Sequence, residues 1–386
     1  MIELRGITWQ HTRGYLPMVA TAQRFQELNP DVRIRWEMRS LQSFADQSIA
    51  KLAETFDLLV IDHPFAGRAA RGDVLLPLDE VMEPSVLEDQ EANAVGLSYE
   101  SYRYGDHLWA LPTDTATPVS GARIDLLARH GLQRPGTWSE LIELARHGLV
   151  TVPAIPIDSL MHLYMLCAGL GEEPFRNHNL FVSESVGVHA LEMLRNLVSL
   201  CDPKCLERNP IAIWELMSST DQAVYCPFAY GYSNYARPGY ARNPIEFGGL
   251  VVIDGHEKCR STLGGAGLAI SRNVSDLTTA ARYAAFVASA DIQRGIYFDA
   301  GGQPGHRAAW IDSEVNRRSG GFFQNTLETL DAAYLRPRFD VYPAFQDEAG
   351  LIVHAYLVSG GDSVKVLKEL NTLLRYVNSR SLEIHP

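Results

Sequence analysis

The side chains that could do chemistry in this sequence sit where apolar runs end. Trp9-Gln10-His11-Thr12-Arg13, Arg39-Ser40 and Asp62-His63 each end a stretch that reads as a strand and offer groups that hydrogen-bond or stack. Thr113-Asp114-Thr115 follows Leu108–Pro112; a carboxylate there either accepts hydroxyl hydrogen bonds or pairs with a cation. Asp158 is a further candidate carboxylate. Phe228, Tyr230 and Tyr232 present flat apolar faces, two of them with polar tips, as a sugar ring requires. Their alternation equally suits the core of a strand. Trp9 has the same core alternative, and Asp62 the alternative of capping a following helix. Gly264 and Gly265, in a glycine-rich stretch, are further binding candidates, and Arg307 either binds an anion or joins two parts of the protein. All of these can serve as binding groups; the carboxylates also leave glycoside hydrolysis open, because the spacing that it needs is spatial.

Catalytic motifs fail on detail. Gly265-Ala266-Gly267 begins like a dinucleotide fingerprint, but Ile270 stands where the third glycine belongs. Gly231-Tyr232-Ser233-Asn234-Tyr235 lacks the closing glycine of a nucleophile elbow. There is no phosphate loop and no HExxH, so neither catalytic residues nor a cofactor are expected. Of the 5 cysteines, Cys201 and Cys205 flank Asp202-Pro203-Lys204, a turn that either closes a small disulfide or leaves two thiols. No second Cys or His pair at ligand spacing accompanies them, so no metal is expected. Cys167 and Cys226 read as core thiols.

The positioning elements follow from periodicity. Leu4–Trp9 and Val32–Met38 read as strands, the second from Val32, Ile34, Trp36 and Met38 alternating with charges. Tyr15–Leu28, Leu41–Ala53 and Phe65–Arg71 read as helices, and Phe56–Ile61 as a strand buried on both faces. Strand–helix alternation implies parallel pairing, with ligands beyond the carboxyl ends of the strands. Later helices are expected over 123–130, 139–147, 160–170, 186–200 and 277–290, and strands over 222–227 and 250–253. From Phe322 onward the chain reads as mainly helical.

A length of 386 residues exceeds one ordinary core, so two lobes are expected. The net charge of −12 argues against nucleic acid and anionic membrane surfaces. No apolar run approaches the roughly 20 residues that span a bilayer. Met1-Ile2-Glu3-Leu4 enters a strand without a positive, then apolar, leader. Read literally that places the chain in the cytoplasm; the other reading is a mature exported domain.

The order of motifs resembles the extracellular solute-binding proteins of sugar-type ABC importers, the maltose-binding-like group. Phe25-Gln26-Glu27-Leu28-Asn29-Pro30-Asp31-Val32 is similar to the helix-to-strand passage "F…NP.V.V", and Phe56–Asp62 to the buried third strand. Leu75-Leu76-Pro77-Leu78-Asp79 matches "L.PLD", and Tyr104–Pro112 looks like "Y.GK.YALP". Leu127–Leu132 with Pro135–Leu141 resembles "LF.KAGL..P.TWDEL", and Gly264–Ile270 resembles "GG.G.AI". The chain departs from the pattern at Pro118-Val119-Ser120-Gly121-Ala122, where the group commonly has "LYYN". It also carries His11, Arg13, Arg39, His63 and Arg307 in ligand-facing loops, more basic than a neutral-sugar receptor usually is.

The resemblance implies an α/β fold of the type II periplasmic-binding-protein class, its two lobes discontinuous and joined by hinge crossovers. Lobe one would take 1–112 and 268–312, and lobe two 113–267 and 313–386. It further implies a monomeric, periplasmic or extracellular receptor that closes on a sugar or polyol and delivers it to ABC permease subunits. The stacking aromatic would be Phe228 or Tyr230. Two alternatives remain: a small carboxylate or sugar acid as ligand, and a cytoplasmic ligand-sensing module of the same fold.

Overall fold

The computed structural model describes residues 1–40, 48–177, 179–256 and 259–383, which divide into two compact units. Unit one holds Met1–Ala116, Leu263–Arg318 and a short strap, Arg338–Asp340; unit two holds Thr117–Thr262, Ser319–Pro337 and Val341–Pro386. In chain order the main strands are β1 (Ile2–Trp9), β2 (Val32–Arg39), β3 (Leu58–Ile61), β4 (Leu111–Ala116), β5 (Pro118–Ala122), β6 (Tyr225–Tyr230), β7 (Glu246–Gly248) and β8 (Gly264–Ile270).

Boundaries expected after residues 112, 267 and 312 fall instead after Ala116, Thr262 and Arg318. β4 and β8 pair from Leu111↔Leu268 to Ala116↔Gly264, so neither strand divides in its middle. The Ser313–Arg318 helix stays with unit one because Arg318 pairs with Asp299 at 2.7 Å.

Unit one is built on a five-stranded sheet in the order β2-β1-β3-β8-β4. β1 runs parallel to β2 and β3, as strand–helix alternation requires, while β8 is antiparallel to both its neighbours. Every residue of β3 is buried, as its unbroken apolar run predicts. β2 turns Val32, Ile34 and Trp36 inward, and the Trp36 ring lies where a Cβ on Gly6 would come within 2.6 Å of it. Glycine at that position is what lets the indole cover β1. The Thr12–Leu28 helix buries Pro17, Met18, Thr21, Ala22 and Phe25 along one face. Tyr283 ties these layers together, its hydroxyl meeting Thr21 Oγ1 at 3.0 Å and accepting from Trp36 Nε1 at 3.1 Å. Of the helix expected over 41–53, Ile49–Ala53 is seen; residues 41–47 lie outside the described residues.

Unit two has a three-stranded antiparallel sheet, β6-β5-β7. The strand expected at 222–227 is shifted to 225–230, because Asp221 is held in a turn by Arg123 and Arg129. The segment 250–253 is not a strand: Val252 exchanges hydrogen bonds with the 136–138 loop alone. The helix expected from 160 begins at Pro156, a residue suited to the first helical position. It is buried nearly all round, packed against the Glu184–Ser199 and Tyr342–Ser359 helices.

Candidate ligand-binding site

In unit one the three strand-end segments do come together. β1 and β2 are in register through Trp9↔Arg39, and Gln10 N donates to Arg39 O at 2.7 Å. Trp9 itself belongs to the core: it is buried, and its ring fills the space a Cβ on Gly14 would need. Gln10 and Ser40 are exposed. His11 caps the Thr12–Leu28 helix, Nδ1 accepting from Arg13 N at 3.0 Å. Burial first, and the Arg13 charge second, push its pKa down to about 4, so the imidazole is neutral.

Arg13 turns inward to Asp114 on β4, with Nε to Oδ2 at 2.7 Å and Nη2 to Oδ1 at 2.5 Å. Of the two readings of Asp114, this is the ion pair. Burial raises the Asp114 pKa while the Arg13 guanidinium opposes it. Gly265 backs directly onto this carboxylate's main chain: its φ is +115° and a Cβ would lie 2.3 Å from Asp114 O. Gly264 pairs with Ala116 at the start of β8. Thr115 is buried, its Oγ1 without a partner among the described residues.

Asp62 caps the turn after β3, Oδ1 accepting from His63 N at 2.8 Å and lying 3.2 Å from His63 Nδ1. His63 is buried edge-on to Tyr102. Arg39 is buried, Nη2 donating to Val60 O at 3.2 Å, and burial pushes its pKa down to about 10. Arg307 opens the Arg307–Ile311 helix and is half-buried.

In unit two Phe228 and Tyr230 share one face of β6, two residues apart. Phe228 is buried against His162, ring centroids 4.5 Å apart. Tyr230 is half-buried; its hydroxyl lies 3.4 Å from Thr262 Oγ1. Tyr232 follows the strand and is buried. Asp158, in the first turn of the Pro156–Gly169 helix, is 3% exposed. One turn on, His162 is 1% exposed and was absent from the expected site. Placing the helix start at Leu160 hid it, because the (i, i+4) relation to Asp158 appears only once Pro156 begins the helix.

The cysteines settle as thiols. Cys167, Cys201, Cys205, Cys226 and Cys259 are all free and buried, so the 201–205 turn holds no disulfide. Cys201 Sγ instead donates to Leu197 O at 3.4 Å, which turns it back into its own helix. Among the described residues no cluster of His, Cys, Asp and Glu could hold a metal, and no helix is long and apolar enough to cross a membrane.

Residues 8–154 match the family described as bacterial extracellular solute-binding protein. The maltose-bound MalE3 of T. maritima is similar over 98% of this chain and 100% of its own, at 19% identity and a TM-score of 0.86. An ABC transporter solute-binding protein of Agrobacterium radiobacter K84, in complex with ribitol, is similar over 97% and 98%, at 18% identity and 0.82. One from Thermotoga lettingae TMO, bound with alpha-D-tagatose, is similar over 98% and 100%, at 17% identity and 0.83. The segment 8–154 thus carries the family match, and the chain as a whole the α/β fold, of the bacterial extracellular solute-binding proteins.

Proposed function

We propose that this protein is the exported receptor of an ABC importer, capturing a neutral sugar or polyol and handing it to the permease subunits. The observation that carries the reading is the pairing of that fold and family match with the β6 aromatics of unit two. Tyr230 offers a half-buried ring with a polar tip on the same strand face as Phe228, the chemistry a hydroxylated ring recognises. The maltose, ribitol and tagatose held by proteins of this fold are all neutral and polyhydroxylated. The receptor works by binding and release, and needs no catalytic group.

A second reading, a small carboxylate or sugar acid, draws on Arg39, a buried guanidinium at the carboxyl end of β2. A thermal-shift screen of sugars, polyols and sugar acids separates the two. Neutral compounds should raise the melting temperature in the receptor reading; stabilisation by sugar acids alone would favour the second.

A further inference from the structure

Asp158 and His162 lie one helical turn apart and so project from one face of the Pro156–Gly169 helix. Both are buried, yet among the described residues Asp158 Oδ2 and both ring nitrogens of His162 have no hydrogen-bond partner. The helix beside them is mostly apolar, with Leu160, Met161 and Leu163 around a Ser159 whose Oγ donates to Ala154 O at 2.8 Å. Apolar residues would fill this face without leaving polar atoms unmet. Polar groups kept at such a cost mark a function.

We propose that Asp158, His162 and Phe228 form a hydroxyl-reading face within unit two, two polar groups beside a phenyl ring, selecting a polyhydroxy ligand that carries no charge there. The inference rests on the receptor reading and narrows it.

The charge states follow from the surroundings. Among the described residues no cation pairs with Asp158, and its nearby titratable neighbour on β6 is the thiol of Cys226. An ionised carboxylate would lie buried and uncompensated, so burial pushes the Asp158 pKa up to about 8. The same burial pushes His162 down to about 3. At neutral pH the pair is a carboxylic acid and a neutral imidazole, each able to donate one hydrogen bond and accept another. A sugar hydroxyl also donates and accepts, so it fits either partner. The Phe228 ring, 4.5 Å from the imidazole, supplies the apolar wall that the C–H face of a sugar or polyol needs. An ammonium ligand would call for the opposite arrangement, an ionised carboxylate held ready.

The test compares isosteric with apolar replacements. Wild type, Asp158→Asn, Asp158→Leu, His162→Gln and His162→Leu are titrated by calorimetry with maltose, ribitol, tagatose and mannitol, and with glucosamine and gluconate. The neutral probe that binds best should keep its affinity within about 3-fold in the Asn and Gln variants. It should lose about 10-fold or more in the Leu variants. Asp158→Asn as damaging as Asp158→Leu, or glucosamine preferred to every neutral probe, overturns this inference alone. A wild type that binds no neutral probe overturns the receptor reading and this inference with it. Melting curves without ligand give an independent check: both Leu variants should melt at or above the wild-type temperature. A marked fall would mean that the polar groups serve the fold, and would overturn the inference whatever the probes do.

Discussion

Arg13 and Asp114 hold each other through two hydrogen bonds, 2.7 and 2.5 Å long, with side chains only 5% and 1% exposed. The pair links the first helix of the chain to β4, a hundred residues later in sequence, and both partners lie in unit one. Asp114 has little water to replace Arg13. Arg13→Ala should therefore destabilise unit one by about 3–5 kcal/mol, and replacing both residues with Met and Leu should recover most of that. Denaturant unfolding of the single and double variants measures it. A single-variant loss below about 1 kcal/mol would mean that the carboxylate is solvated after all.

The pH dependence of stability should carry the Asp158 signature. Its folded pKa is raised from 3.8 to about 8 by burial, so its stabilising contribution is full below about 4 and is lost as pH rises to 8. His162 is lowered from 6.5 to about 3, so its contribution is lost as pH falls below 6.5. Between pH 4 and 6.5 the two oppose each other. From 6.5 to 8 Asp158 acts alone, and stability should fall by about 1–2 kcal/mol in wild type. Unfolding curves of Asp158→Asn at the same pH values should lack that fall, and an equal fall in the variant would assign it to another group.

Burial raises the thiol pKa of all five cysteines, which removes the reactive thiolate. The native protein should resist a thiol reagent such as dithionitrobenzoate, and in denaturant without reductant it should consume five equivalents. Three equivalents in denaturant would indicate a disulfide between Cys201 and Cys205.

Much of the fold was legible because its determinants are local. Period-two alternation in Val32–Met38 and the unbroken run ending at Ile61 each encode a strand environment, and parallel pairing follows from the helices between them. Less legible were features that depend on partners distant in sequence. Leu250–Ile253 has the composition of a strand, yet strand identity needs a neighbouring strand, and among the described residues its bridge is to the 136–138 loop. Arg13 and Asp114 were each visible as candidates, but that they satisfy one another is a fact of the sheet order. His162 stayed hidden with the helix start placed at Leu160; a start at Pro156 sets the unmet Asp158 one turn before it.

Tyr230 is the half-buried residue of β6, while Phe228 is buried with its ring against His162. Tyr230→Ala should weaken a neutral sugar or polyol by about 1–3 kcal/mol, roughly 5- to 150-fold, through lost stacking area. Because the side chain is only half-buried, the melting temperature without ligand should change little. Unaltered affinity would move the stacking role elsewhere, and a collapsed melting temperature would return Tyr230 to the core.

Whether an uncharged polyhydroxy solute binds this protein is measured by calorimetric titration of the purified chain. Maltose, ribitol, tagatose and mannitol would be run beside gluconate and glucosamine at pH 7. At least one neutral compound should show saturable one-site binding, at a dissociation constant at least about 10-fold below those of gluconate and glucosamine. Binding confined to gluconate or glucosamine, or heats of dilution alone for every neutral compound, would contradict it.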